Sequence, residues 1–221
     1  MNVPNQMKFK NPIIDRIPST VIDEILRKTQ KVPVSVSYED ILSMIDVDQT
    51  ASLQRIEKII RKRTRGPIIT KTKSSSTDLE VLPATLSVEK AHILVSKDPM
   101  NALINMNKMF SSQLGYNFTI ESGYRSYAYQ LVLFLRFFKY LNYDLSHTMS
   151  LIAAPGFSEH NDPIWTAVDF YWSDTSTGFD ASEVFNWLHH HAQQHGFYLS
   201  DPKDHDGATD YEPWHWRYHG Q

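Results

Sequence analysis

The apolar positions in the first third of the chain predict helices. Apolar residues recur at helical spacing in Tyr38–Ile45 and in Ala51–Arg61, so each segment is predicted to be an amphipathic helix. The stretch KTKSSSTD at residues 71–78 is polar, rich in serine and without periodicity, which is typical of a linker. We therefore expect a small helical region in residues 1–79 and a second domain in residues 80–221.

Three further helices are predicted after the linker. Pro99 suits a first helical position, while Gly115 and Gly196 are each suited to follow the end of a helix. One of the three segments is apolar on nearly all sides, which indicates a buried helix. In chain order the predicted helices are Pro99–Leu114, the buried Ser126–Tyr140, and Ala181–His195.

Short strands are predicted between these helices. The segments with the alternation or composition of strands are Asn117–Glu121, Ala167–Trp172 and Trp214–Tyr218. Helices and strands do not alternate strictly, and the sequence has no internal repeat and no glycine-rich phosphate loop. The pattern predicts an α+β fold with a small antiparallel sheet flanked by helices, preceded by an N-terminal helical extension.

Composition narrows the classes of function. The 221 residues carry a formal net charge of -3, which argues against a nucleic-acid partner because such proteins normally present a basic face. Arg61, Lys62, Arg63 and Arg65 do cluster, but we interpret them as the solvated end of a helix. Cysteine is absent, which excludes disulfides, thiolate metal sites and cysteine nucleophiles. Any metal ion must therefore be bound by His, Asp or Glu.

No segment predicts a membrane span. The most apolar stretch, Leu131–Leu141, contains Arg136 and Lys139 and is shorter than the roughly 20 residues that a span needs. The first 18 residues lack the apolar run of a secretion signal. For an exported protein we would therefore expect either a signal that was removed or export by another route.

His160, Asp169 and His215 are the candidate metal ligands. A catalytic zinc site has three protein ligands and leaves a fourth position for water. Asp169 lies in the apolar segment AVDFYW, where a carboxylate must be paired or bind a metal; a structural ion pair is the alternative. We assign no role to His189, His190 and His191, which are consecutive on a predicted helix. Further ligand candidates are His147, His205 and His219.

Two charged residues accompany these ligands. Glu212 precedes His215 by three positions and suits a general base that takes a proton from water; the alternative is a pair with Arg217. Arg125 follows a predicted strand and opens the buried helix. Its guanidinium could bind a substrate carboxylate or stabilise charge in a transition state.

Together these segments resemble the VanY-type D-alanyl-D-alanine carboxypeptidases. These enzymes belong to a group of zinc peptidases that shares its fold with the amino-terminal signalling domain of hedgehog. The similarity covers about residues 80–221 and rests on four motifs in the family's order. They are SGYRS at Ser122–Ser126 followed by Gln130, SEH at Ser158–His160, AVD at Ala167–Asp169, and EPWHWRY at Glu212–Tyr218.

The resemblance implies a role for each matching residue. His160, Asp169 and His215 would bind zinc and Glu212 would be the catalytic base. Arg125 would be a catalytic and substrate-binding residue, supported by Ser126, Gln130 and Ser158. The implied substrate is a peptidoglycan stem peptide cut near its C-terminal D-amino acid, in the bacterial cell envelope, either periplasmic or secreted. A phage lysin is also compatible with it.

The chain departs from the family pattern in one place. The family usually places its Asp seven positions after the first His, with a Gly between them, whereas Asp169 follows His160 by nine and HNDPIWTAVD contains no Gly. A surface loop can absorb two extra residues at small cost. D,D- and L,D-carboxypeptidase specificity both remain open, as do an endopeptidase of the same group and a non-catalytic metal-binding module.

Overall fold

The computed structural model describes residues 18–64, 68, 78–174, 176–200 and 211–220. The remaining residues include most of the predicted linker and His205, so those predictions lie outside the described part. The helices are α1 (Ser19–Lys28), α2 (Tyr38–Met44), α3 (Val47–Arg63), α4 (Lys97–Leu114), α5 (Tyr127–Tyr140), α6 (Leu145–Leu151) and α7 (Glu183–His191). The strands are β1 (Leu79–Val81), β2 (Leu94–Ser96), β3 (Thr119–Ser122), β4 (Ala167–Tyr171), β5 (Phe197–Leu199) and β6 (His215–Tyr218).

Helices α1, α2 and α3 form the N-terminal helical extension. Ser37 and Asp46 begin α2 and α3, and the side chain of each accepts the backbone N–H three residues later in a capping box. Their buried isoleucine and leucine side chains share one apolar core with α5 and α6. Both predicted helices are confirmed, and α1 is an additional one. The boundary between residues 1–79 and 80–221 stays a prediction.

The predicted helix at Pro99–Leu114 is confirmed as α4. It begins at Lys97, so Pro99 is the third residue and not the first. A proline is still tolerated there because the first turn of a helix has no internal partner for its N–H groups. Gly115 ends the helix with φ 81°, a conformation that favours glycine.

Four strands form the antiparallel sheet that carries the site, in the order β3-β4-β6-β5. Strands β4 and β6 are its centre, and Val168, Phe170 and Trp216 pack into a second apolar core with α4 and α7. The three predicted strands are confirmed, while β5 is additional. The pair β1 and β2 forms a separate two-stranded sheet.

The predicted α+β architecture with a small antiparallel sheet is therefore confirmed. The buried helix predicted from Ser126 is α5, whose side chains Leu131, Phe134 and Leu135 are fully buried. In the part of the chain that the structure describes, no helix is both long and apolar enough to cross a bilayer.

Candidate metal centre and catalytic cavity

The sheet register brings two of the predicted ligands together. Asp169 on β4 is paired directly with His215 on β6, so both side chains lie on the same face of the sheet. His160 lies in a 3-10 turn, Glu159–Asn161, ahead of β4. One ligand atom from each of these three residues lies within 4.8 Å of the others, and the described residues contain no other such group.

The ring of His160 is fixed by a backbone acceptor. Its Nδ1 lies 2.8 Å from the carbonyl oxygen of Gly123, so Nδ1 carries the proton and Nε2 is left facing Asp169 Oδ2 at 3.2 Å. Gly123 is required because a Cβ there would lie 2.5 Å from the backbone oxygen of Leu94. A glycine in the SGYRS segment thus lets the chain pass close to β2 and presents its carbonyl to the ligand.

Arg125 reaches the same carboxylate from the other side. Its Nη2 donates to Asp169 Oδ2 at 3.1 Å, Nη1 donates to Gln130 Oε1 at 3.3 Å, and Nε donates to Ser122 Oγ at 3.1 Å. The structural ion pair considered for Asp169 is therefore present, together with its contacts to both histidines. Three of the five guanidinium N–H groups are used by partners in the described part of the chain, and the other two are proposed to serve a substrate.

Burial and these contacts set the protonation states. Burial and the neighbouring charge of Arg125 lower the pKa of His160 to about 4. Burial opposes ionisation of Asp169, but contacts with His160 and His215 hold the pKa of that carboxyl well below its usual range. Burial also lowers the pKa of His215, but hydrogen bonds with Asp169 and Glu159 outweigh it and raise the pKa to about 10. The set fits a divalent cation, which would displace the proton of His215 and balance the Asp169 charge.

Glu212 is placed by a tight turn. The backbone N–H of His215 donates to the carbonyl oxygen of Glu212 at 3.0 Å, which folds Glu212 back beside the ligand that follows it. Glu212 lines a cavity of about 440 Å³ with all three candidate ligands. The other predicted site residues in its wall are Arg125, Gln130 and Ser158.

A second cavity of about 480 Å³ adjoins the first and shares Arg125, Leu133 and Asp169 with it. Val34 and His92 are in its wall, but neither candidate histidine ligand nor Glu212 is. We therefore centre the candidate site on the first cavity. The second provides space on the far side of Arg125.

Comparison with known proteins identifies the family. The profile of the D-alanyl-D-alanine carboxypeptidases, VanY, matches residues 92–221. The chain belongs to this family. The resemblance drawn from the four motifs is thereby confirmed, and the matched residues include every candidate ligand, Glu212 and Arg125.

Individual relatives agree with the family. The protein named as a carboxypeptidase, YodJ of Bacillus subtilis (strain 168), is 33% identical over 140 residues, which cover 58% of this chain and 47% of YodJ. This chain thus spans about half the length of that relative.

Solved structures share the fold. The LdcB LD-carboxypeptidase is similar with a TM-score of 0.55 and 27% identity, over 66% of this chain and 70% of LdcB. The vancomycin-resistance D,D-pentapeptidase VanY, solved in complex with Zn(II), has a TM-score of 0.53 and 22% identity, over 67% of this chain and 82% of VanY.

Among the residues that the family resemblance singled out, Ser126 lies outside the main cavity. Its hydroxyl accepts from the backbone N–H of Tyr129 at 3.0 Å, which caps α5, and donates to the carbonyl oxygen of Val36 at 2.6 Å. Gln130 is fully buried and orients Arg125, while Ser158 lies in the cavity wall. The ligand candidates His147 and His219 are exposed and outside the described ligand group.

Sequence reasoning missed Glu159 and Asn161, which lie on either side of His160 at the candidate site. Glu159 contacts His215 Nε2 at 3.1 Å, and Arg217 forms ion pairs with Glu159 and with Asp162. Asn161 is fully buried and donates to the carbonyl oxygen of Arg125 at 2.7 Å. Glu159 and Asn161 flank His160 in the sequence, and this adjacency was the one available signal.

Proposed function

We propose that this chain is a zinc-dependent carboxypeptidase that removes a C-terminal D-amino acid from peptidoglycan stem peptides. The observation that carries the proposal is the convergence of His160, Asp169 and His215 with Glu212 and Arg125 in one cavity. Membership of the carboxypeptidase family supports it. The similar LdcB LD-carboxypeptidase, whose structure reveals the basis of peptidoglycan recognition, supports the substrate class.

The ligands proposed for zinc are His160 Nε2, the Asp169 carboxylate and His215 Nδ1. Two nitrogens and one carboxylate suit zinc, and three protein ligands are the usual number in a catalytic site. The related VanY structure is itself a complex with Zn(II). When bound, zinc supplies Lewis acidity, which polarises a carbonyl group and acidifies water.

Glu212 is proposed as the general base. It lies in the cavity wall with the ligands, where its carboxylate can accept a proton from the attacking water and return it to the leaving amine. The turn described above holds it close to His215 in space. The alternative pairing with Arg217 is weakened because both terminal nitrogens of Arg217 contact Glu159 and Asp162.

Arg125 is proposed to bind the substrate. Its guanidinium is oriented by Ser122 and Gln130, and the N–H groups that remain on its two terminal nitrogens can hold a carboxylate or a developing oxyanion. Ser158 supplies a further polar group in the same wall. We leave Ser126 out of the proposed substrate contacts, because its hydroxyl is bonded to the backbone on both sides.

A peptidoglycan endopeptidase is the second candidate. A site closed beyond the leaving residue favours a carboxypeptidase, whereas a groove that continues favours cleavage within the stem. The second cavity favours this candidate because it shares Arg125 and Asp169 with the first and offers space into which a longer peptide could extend. In either case the substrate places the site of action in the bacterial cell envelope.

A digest of purified muropeptides, read by mass spectrometry, tests the proposal. Zinc-loaded protein is incubated with stem peptides that end in D-Ala-D-Ala and with shorter ones that end in D-Ala after an L-centre. Loss of one terminal residue supports the carboxypeptidase and identifies D,D or L,D specificity. Cleavage within the stem supports the endopeptidase. If the peptides stay intact although the protein is folded and zinc-loaded, the result supports the non-catalytic metal-binding module.

A further inference from the structure

Glu159 connects the two histidines of the candidate metal centre. It immediately precedes His160 in a 3-10 turn, yet its side chain faces the other histidine. Glu159 Oε2 lies 3.1 Å from His215 Nε2 and accepts from Ser200 Oγ at 2.5 Å. One turn of chain therefore supplies His160 as a ligand and a carboxylate that fixes the orientation of His215.

The contact determines which nitrogen of His215 can bind a metal. An ionised carboxylate only accepts hydrogen bonds, so His215 Nε2 carries a proton whenever it contacts Glu159. The nitrogen that can hold a lone pair is then Nδ1, which lies 2.9 Å from Asp169 Oδ1. In His160 the nitrogens are reversed: the carbonyl oxygen of Gly123 accepts from Nδ1, so Nε2 is the nitrogen that can bind a metal.

Glu159 is itself held by Arg217. Arg217 Nη1 donates to Glu159 Oε1 at 3.1 Å and Nη2 donates to Asp162 Oδ2 at 2.9 Å. Arg217 lies two residues after His215 on β6, so its side chain projects from the same face of the strand. The side chains of Arg217 and Asp162 are each 17% exposed, so water screens these charges only in part.

Asp162 belongs to the long loop between His160 and Asp169. Its Oδ1 accepts from the backbone N–H groups of Ile164 and Trp165 at 2.9 and 3.0 Å, which folds the loop into a turn. Its Oδ2 remains directed at Arg217. The contacts therefore run from Asp162 to Arg217, from Arg217 to Glu159, and from Glu159 to His215. Asp162, the residue farthest from the metal site in this series, lies in the loop that is longer than the family pattern.

We propose that Glu159 is a positioning residue for His215 as a metal ligand, and that Asp162 and Arg217 hold Glu159 in place. The longer loop then contributes to metal affinity. The inference rests on the ligand set proposed above and goes beyond the proposed reaction. Groups that orient a metal-binding histidine typically change metal affinity by about 10–100-fold when they are replaced.

Zinc affinity of the full chain, measured by competition with a chromophoric chelator, tests this. We expect Glu159→Gln to raise the zinc Kd by about 10–100-fold, because the neutral amide is a weaker acceptor and turns a donor towards Arg217. Glu24→Gln is the matched control, since it removes the same kind of charge from an exposed pair with Arg27 on α1. Its zinc Kd should equal that of the wild type.

A double-mutant cycle tests the outer part of the network. Asp162→Asn keeps the oxygen that accepts from the loop but removes the charge that holds Arg217, so its zinc Kd should rise by about three- to tenfold. In a Glu159→Gln background the same change should have almost no effect, because residues that act through one contact are not additive. An equal effect in both backgrounds would overturn the role of Asp162.

Melting temperature and circular dichroism of the zinc-free protein separate positioning from folding. A folded Glu159→Gln variant that binds zinc within about twofold of the wild type overturns the proposal. If Glu159→Gln does not fold, the zinc Kd of Asp162→Asn is the remaining test. A Kd equal to that of the wild type then overturns the proposal. These measurements need no peptide, so a wild-type chain that binds zinc but cleaves no muropeptide would refute the proposed function and not this inference.

Discussion

The backbone N–H of Arg125 donates to the carbonyl oxygen of His160 over 2.9 Å. This bond joins the SGYRS and SEH segments, and Asn161 reinforces it by donating from its amide to the carbonyl oxygen of Arg125. The substrate-binding candidate and the first ligand candidate are therefore fixed to each other through the backbone. A change confined to the Arg125 side chain leaves this frame in place, so it tests the function of the guanidinium.

Arg125→Lys should lower kcat/KM by roughly 10–100-fold, because hydrogen bonds to charged groups are worth about 1.5–3 kcal/mol and an ammonium lacks the planar fork. The measurement is steady-state hydrolysis of a stem peptide. Arg136→Lys is the control. It is the same substitution on α5, but Arg136 donates to the carbonyl oxygen of Gln30 and does not line the catalytic cavity. Unchanged hydrolysis by Arg125→Lys would remove the guanidinium from the site.

Ser126→Ala should lower the free energy of unfolding by about 1 kcal/mol, because α5 loses its N-cap, while KM stays at the wild-type value. Ser158→Ala should do the opposite and raise KM with little change in stability, because Ser158 lies in the cavity wall. Denaturant unfolding and hydrolysis of the same preparations separate the two. A raised KM for Ser126→Ala would restore the substrate role implied by the family motif.

Local patterns predicted five of the seven described helices and the central strands, because an apolar stripe, an alternation or a capping residue is visible in each. Helix α4 has both an apolar stripe and Gly115 as its end, whereas β5 has only three residues. Elements this short carry too few positions to show a period. Their existence depends on tertiary partners, such as the pairing of β5 with β6.

Site residues with a local signal in the sequence could likewise be predicted, whereas those defined by tertiary partners could not. His160, Asp169 and His215 could be proposed from motifs because a ligand type and its apolar surroundings are visible in the sequence. Glu159 could not, since its function depends on His215, which is distant in sequence and reaches it only through the sheet. Ser126 lies inside a family motif, but its partner Val36 belongs to the N-terminal region that the motif does not cover.

His215→Ala should lose the zinc of the wild-type chain, for which we expect about one ion per chain from a single three-ligand site. Metal analysis after gel filtration gives the stoichiometry. His219→Ala is the matched control, because His219 lies four residues after His215, is exposed, and contacts only the rings of Trp165 and Tyr198 among the described aromatic residues. A zinc content in His215→Ala equal to that of His219→Ala would show that the ligand assignment is wrong.

Glu212→Gln should keep zinc and the fold but lose most hydrolysis. The amide preserves the size of the side chain while removing the basic oxygen, and general-base catalysis typically contributes about 10²–10⁴-fold to the rate. Glu80→Gln, on the exposed strand β1, is the matched control and should retain full activity. Turnover of a stem peptide by both zinc-loaded variants is the measurement.

Zinc content and melting temperature of the same Glu212→Gln preparation decide between catalysis and structure. If Glu212 only stabilises the turn that leads to His215, the substitution lowers the melting temperature, while turnover per folded molecule stays at the wild-type value. If Glu212 is the base, both structural measures stay unchanged and kcat falls with little effect on KM, because the lost interaction acts in the transition state. A variant that is fully zinc-loaded, melts normally and cleaves at the wild-type rate would refute the assigned base and require another group to accept the proton.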